Sequence, residues 1–223
     1  MRRIVVALAL AGFAACSSSS NGGGGSAIPE AEAGLPDDAG EGDDGGGSGK
    51  EAGPGCIAEI LNQGNAAKST PRPNAVAWQT PESALAADGT PARADLGSSD
   101  ETELLVVTDF RFMPPPNMRI AGVEVELKRE APGADVVDGE MHLVLGDQQS
   151  PNWHYLSNTW PTSIFGTHVY GDIDDLWGMT LAPTDVTRAD FGVSFFAKRA
   201  AGNMGSPLGL VDSIKMTITY CPE

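Results

Sequence analysis

The clearest pattern in the chain lies near its C-terminus. From Ile214 to Tyr220 the large apolar residues Ile214, Met216, Ile218 and Tyr220 occupy even positions, and Lys215, Thr217 and Thr219 occupy odd ones. Successive side chains of a strand point to opposite faces, so this run predicts a half-buried strand with one wet face. The stretch Met118–Lys128 alternates as well, but its phase changes midway. Met118 and Ile120 are even, whereas Val123, Val125 and Leu127 are odd, with Glu124, Glu126 and Lys128 on the opposite side. One extra residue near Ala121-Gly122 restores the apolar side, which predicts a β-bulge there. Phe191, Val193, Phe195 and Ala197 form a third alternating run. The full set of expected strands is Val76–Gln79, Ala92–Leu96, Glu103–Thr108, Met118–Lys128, Val136–Leu145, Gly192–Lys198 and Leu208–Tyr220. Cys56–Leu61 reads as a short strand or a turn of helix. Asp88-Gly89, Pro114–Asn117, Pro132-Gly133 and Gly202-Asn203 supply turn chemistry between them. One helical turn is expected at Thr184–Ala189, with Thr184 as its N-cap.

Several antiparallel strands with alternating faces imply an all-β fold, an antiparallel, jelly-roll-like β-sandwich in a single domain over residues 56–223. Specific pieces strengthen this. They are Trp78, the Ala87-Asp88-Gly89 turn followed by Ala92 and Ala94, Phe110-Arg111-Phe112 before Pro114, and Ile120–Val125. They continue with Trp160-Pro161, Asp175-Leu176-Trp177-Gly178, Phe191-Gly192-Val193 and Val211–Ile214. On these the chain resembles a recurrent β-sandwich domain of bacterial surface proteins and phage structural proteins. The resemblance implies the fold and no activity. It also implies that Trp160 and Trp177 plug the core. The chain departs from the pattern at Pro151–Tyr155 and Asp172–Asp174.

The N-terminus is organised differently. Arg2 and Arg3 precede a short apolar run from Ile4, and Phe13-Ala14-Ala15-Cys16 sets two small residues before a cysteine. This is similar to a bacterial lipoprotein signal, with Phe13 where Leu is usual, and it implies cleavage of residues 1–15 and lipidation of Cys16. A plain secretory leader and an uncleaved span are the alternatives; the apolar run is shorter than the ~20 residues that a span needs. Residues 16–55 are then the lipidated cysteine and a tether of Ser, Gly and Asp/Glu with almost no large apolar residue. Such a composition cannot offset the entropy of ordering, so a disordered spacer is expected, with a reach of roughly 35 Å. The expected address is the bacterial cell envelope, with Ser17 favouring the outer membrane.

Charge narrows the partners. The chain carries 14 basic and 30 acidic residues, and loss of Arg2 and Arg3 with the leader leaves a side-chain balance of −18. Such a surface repels phosphate backbones and anionic headgroups, so no nucleic-acid partner is expected, and membrane attachment would run through lipid. A glycan or an envelope protein remains as partner. With Cys16 lipidated, Cys56 and Cys221 bracket the foldable sequence in an exported chain, and a disulfide between them is the simple expectation; two free thiols are the alternative.

Three features could carry chemistry. Trp153, Trp160 and Trp177, with Tyr155, Phe165 and Tyr170, fall within a short span holding three of the four tryptophans. For Trp153 and Tyr155, packing and presentation to a ligand are both open; exposed rings would suit stacking against sugar faces. Asp172, Asp174 and Asp175 could offer oxygens to calcium, the one cofactor considered, or form a solvated loop with Asp175 capping the turn before Trp177. His142, His154 and His168 lack the spacing of a local zinc motif, and His142 is out of phase with Met141 and Leu143 on its strand. No serine elbow is present, so no catalytic residue is assigned and an enzyme is not expected.

Overall fold

The computed structural model describes residues 52–223 except 62, 134 and 204; the predicted leader, Cys16 and nearly all of the predicted tether lie outside the described residues. Ten strands follow in order: β1 (Ile57–Leu61), β2 (Ala66–Thr70), β3 (Ala92–Asp95), β4 (Leu104–Thr108), β5 (Met118–Glu130), β6 (Val136–Leu145), β7 (Gln148–Gln149), β8 (Gly166–Asp172), β9 (Phe191–Arg199) and β10 (Leu208–Pro222). Two five-stranded antiparallel sheets face each other. One has the order β1-β10-β5-β8, with β3 also paired to β10; the other runs β2-β4-β9-β6-β7. We call them the β10 sheet and the β9 sheet. The described residues contain one short 3-10 helix, Pro81–Leu85.

The predicted alternation builds the core. Ile214, Met216, Ile218 and Tyr220 of β10 are buried with Val123, Val125 and Leu127 of β5, and they meet Phe191, Val193 and Phe195 of β9 and Met141 and Leu143 of β6. The bulge falls where the phase change requires it: Thr219 pairs with Gly122 and Tyr220 with Ile120, so Ala121 is the extra residue. Gly122 is confined by sterics, since a Cβ there would lie 2.2 Å from the Ile173 backbone. Cys56 and Cys221 are joined, Sγ to Sγ at 2.03 Å. β1 begins beside this bond, with Ile57 paired to Tyr220.

Four local expectations need correction. Val76–Gln79 is not a strand: it makes only isolated bridges, Val76 with Thr102 and Gln79 with Arg93. Thr80 in the left-handed region (φ 46°) and Pro81 turn the chain away before a ladder can form. Thr184–Ala189 is a succession of β-turns, not a helix, in which Arg188 N–H donates to Asp185 O and Phe191 N–H to Arg188 O. Asp185 caps backward, accepting from Ala182 N–H at 2.8 Å. Cys221 continues the odd, solvent-facing phase of β10, yet it is 9% exposed; Ala52–Pro54 and the Ile173–Leu176 loop line the groove over it. β2, β7 and β8 were not anticipated. β2 is short and polar, and in β8 the apolar Val169 faces outward while Tyr170 is buried.

One ion pair crosses the interior between the sheets. Arg129 of β5 occupies the inward phase and is 3% exposed, and its Nε lies 3.1 Å from Asp138 Oδ1 of β6. Asp138 also accepts from Trp160 Nε1 at 2.8 Å, Tyr170 Oη at 2.6 Å and Leu156 N at 2.8 Å. Burial, reinforced by the Asp138 charge, pushes the Tyr170 phenol well above its ordinary pKa, so it stays a donor. A buried charge persists only when it is paired, and here the acceptor stands in the β9 sheet while its donors come from β5 and β8 of the β10 sheet and from the segment after Tyr155.

Candidate aromatic platform at the sheet edge

The site is built by a chain that leaves β6, reverses, and returns along its edge. Gly146 (φ 63°) permits the tight reversal, and Gln148 and Gln149 pair with Leu145 and Val144. Ser150 closes the next step: its N–H donates to Leu143 O at 2.9 Å, its Oγ accepts from Leu143 N–H at 3.0 Å, and the hydroxyl donates to Asn152 O at 2.7 Å. Pro151 cannot continue the ladder. The chain bows out and rejoins β6 where His154 and Met141 exchange backbone hydrogen bonds of 3.0 and 2.9 Å.

That single pairing fixes which way Trp153 and Tyr155 point. On an extended segment they share one face and His154 takes the other. His154 turns inward, its ring centroid 4.4 Å from that of Trp177 in an edge contact, and its Nε2 lies 2.8 Å from Asp175 Oδ2. The other Asp175 oxygen accepts from Trp177 N–H at 2.7 Å, and Trp177 Nε1–H donates to Val123 O at 2.8 Å. Leu156 N–H is held by Asp138. The segment is therefore pinned behind the rings and immediately beyond them.

Trp153 and Tyr155 themselves stay in solvent, 51% and 60% exposed. They line a shallow cavity of about 450 Å³ with Gly139, Glu140, Ser157 and Lys198. Trp153 also leans on His142, ring centroids 5.9 Å apart, and His142 Nδ1 is 2.9 Å from Ser150 O. Beside the cavity, Phe196 lies flat on the outer side of β9. Arg72 covers it with Cζ 3.5 Å from the ring centroid, and Lys198 Nζ is 5.0 Å away. Gly139 makes room for that ring, since a Cβ there would lie 2.4 Å from it.

The structure separates the sequence candidates. Trp160 and Trp177 are fully buried, as the resemblance implied, and Trp153 and Tyr155 are not. Asp172, Asp174 and Asp175, the calcium candidates, point to different partners. Asp175 Oδ1 accepts from Trp177 N–H, its Oδ2 lies 2.8 Å from His154 Nε2, and Asp172 Oδ1 accepts from Ile173 N–H at 2.7 Å. Asp174 lines the groove beside the disulfide. Among the described residues no three His, Cys, Asp or Glu side chains form a metal-binding group. Sequence reasoning missed Lys198, Glu140 and the Asp138 network. The one available signal for Asp138 was an acidic residue in the inward phase of a strand.

No protein-family model matches the chain, and no curated protein matches it. Among solved structures it is similar to a carbohydrate binding module of family 29, at 8% identity over 73% of this chain and 92% of that one, with a TM-score of 0.33. It is similar also to a Stig cyclase from Fischerella sp. TAU, at 13% identity over 76% and 78% of the two chains, with a TM-score of 0.34. At these scores the reading of the site rests on its own geometry.

Proposed function

We propose that this protein is a non-catalytic, lipid-anchored β-sandwich of the bacterial envelope, and that it binds carbohydrate through Trp153 and Tyr155. One observation carries the ligand reading: two large rings stand in solvent on one face of an edge segment whose inward residue and flanks are fastened. Exposed apolar rings lose solvation free energy unless something covers them, and a pinned backbone makes covering them cheap in entropy. Glu140, Ser157 and Lys198 around the same cavity supply hydrogen-bonding groups of the kind that orient a polyhydroxylated ligand. The anchor reading rests on the n-region, the apolar run and Ala14-Ala15-Cys16.

Two experiments test these halves separately. Residues 17–223, probed on a glycan array, should bind a subset of sugars, and Trp153→Ala or Tyr155→Ala should weaken that binding at least about tenfold while leaving the melting temperature nearly unchanged. An array with no hits, or variants that bind as wild type, would refute the ligand assignment. Fatty-acid labelling of the full chain in a bacterial host should tag wild type and miss Cys16→Ser; equal labelling would refute the anchor.

A further inference from the structure

The two outer faces of the sandwich differ in a way that bears on the ligand. On the β10 sheet the middle of the outward face is solvated and carries charge, as in Lys215 paired with Glu126 at 2.7 Å, each about one-third exposed, while Ser213, Thr219 and Cys221 nearer the ends of β10 are buried. On the β9 sheet the outward row is recessed. Phe196 and Ser194 of β9, Val106 of β4 and Val144 of β6 point away from the core, yet they are only 3%, 1%, 9% and 6% exposed. Neighbours stand above them: Arg72 over Phe196, and Gln149, whose Nε2 donates to Ser194 Oγ at 3.0 Å.

A second cavity of about 390 Å³ opens along this row, lined by Lys68, Thr70, Thr108, Val144, Gln149 and Ser194 among others. It follows the platform cavity along the same strands. Lys198 belongs to one and Ser194 to the other, four residues apart on β9, or ~13 Å at strand spacing. Between them lie His142 and Phe196. The floor is apolar with hydroxyl and carboxamide groups set into it, and its rim carries Lys68, Asp147 and Asp190, the last held by Arg188. A floor without an unpaired charge, in a protein of net charge −16, disfavours an anionic ligand.

We infer that the platform is one end of a trough, and that the ligand is a neutral, linear oligosaccharide chain running along β6 and β9. This rests on the carbohydrate reading and deepens it: Trp153 and Tyr155 stack on one part of the chain, while Gln149, Ser194 and Thr108 meet its hydroxyls further along. A lone sugar would fill only the platform end.

The test is a length ladder. Residues 17–223 are titrated calorimetrically with neutral β-1,4-linked gluco-, manno- and xylo-oligosaccharides from disaccharide to hexasaccharide, and with a polyuronic ladder of matching lengths. Affinity for one neutral series should rise about tenfold or more with length. Val144→Arg, which fills the far cavity, should erase that gain and leave disaccharide affinity as in wild type. Gln149→Ala, a gentler change at an exposed residue, should reduce it in the same selective way. Should Val144→Arg fail to fold, Gln149→Ala alone decides. Disaccharide and hexasaccharide binding equally well would overturn the trough and leave the platform standing. Preference for the polyuronic ladder would overturn the neutral assignment. Binding of no member, with an array also blank, would overturn both.

Discussion

Replacing Asp138 with Ala tests whether one buried carboxylate holds the two sheets and the platform together. The substitution leaves Arg129, 3% exposed, without its counter-charge. It also deprives Trp160 Nε1–H, Tyr170 O–H and Leu156 N–H of their acceptor. Breaking a buried ion pair from one side costs roughly 3–5 kcal/mol, and each orphaned donor adds about 1–3 kcal/mol where water cannot replace it. These contributions overlap, so about 3–5 kcal/mol is the working expectation. For a domain of this size each kcal/mol moves the midpoint by about 2–4 °C, which gives a fall of roughly 6–20 °C. Asp138→Asn keeps the shape and one acceptor oxygen but still strands Arg129, so it should fall between Ala and wild type. Urea unfolding followed by tryptophan fluorescence gives the free energies, and hydrogen exchange at the Leu156 amide should accelerate in both variants under native conditions. A loss below ~1 kcal/mol for Asp138→Ala would show that the pair contributes little and that the platform is positioned by something else.

Three further outcomes are expected. Trp177→Ala should cost roughly 3–5 kcal/mol, the usual loss for a buried aromatic, and should weaken sugar binding too because His154 rests on that ring; a fold that melts within a degree or two of wild type would refute its place in the core. Cys56→Ala/Cys221→Ala should lower stability by about 2–4 kcal/mol, given a separation of 165 residues; a melting point unchanged on reduction of the wild type would count against it. Burial, with the Arg129 charge adding to it, lowers the His168 pKa, while Asp138 partly opposes. The unfolded chain therefore binds the proton first. Stability contributed by neutral His168 is full above the ordinary value of ~6.5 and declines as pH falls through it toward the folded value. Between about pH 7.5 and 5.5, wild type should lose more thermal stability than His168→Gln; parallel losses would refute the shift.

Much of the fold was legible because alternation records which face is dry. The β10 core row and the β5 phase change with a bulge near Ala121-Gly122 follow from position, and the pairing of Cys56 with Cys221 from position together with an exported chain and an even count. What escaped was structure set by distant partners. β2 reads as polar coil because its sequence, Ala-Ala-Lys-Ser-Thr, gains a ladder only once β4 is beside it. Trp153 and Tyr155 could be named but not placed, since their exposure depends on His154 finding Met141, Trp177 and Asp175. The same contacts engage Asp175 with Trp177 and His154. The recess on the β9 sheet was invisible for a similar reason: alternation puts Phe196 and Val144 on the outer face, but only neighbours from other strands bury them there.

The bond between Cys56 and Cys221 also decides how the domain would carry tension. A pull arriving from the N-terminal side enters at Cys56, one residue before β1. Without the bond it would peel Ile57 from Tyr220 and unzip β1 one pair at a time, a mode that yields at low force. With the bond the pull passes through sulfur to the end of β10, which is paired to β1 on one flank and to β5 on the other. Two ladders must then give way together before any residue moves. In single-molecule stretching between an N-terminal handle and a sugar-coated bead, rupture should occur at the sugar in the oxidised protein and by early extension of the domain in the reduced one; identical traces would refute this path. On the proposed function, a protein fixed in a membrane and holding a polymer would then lose its grip before it lost its shape.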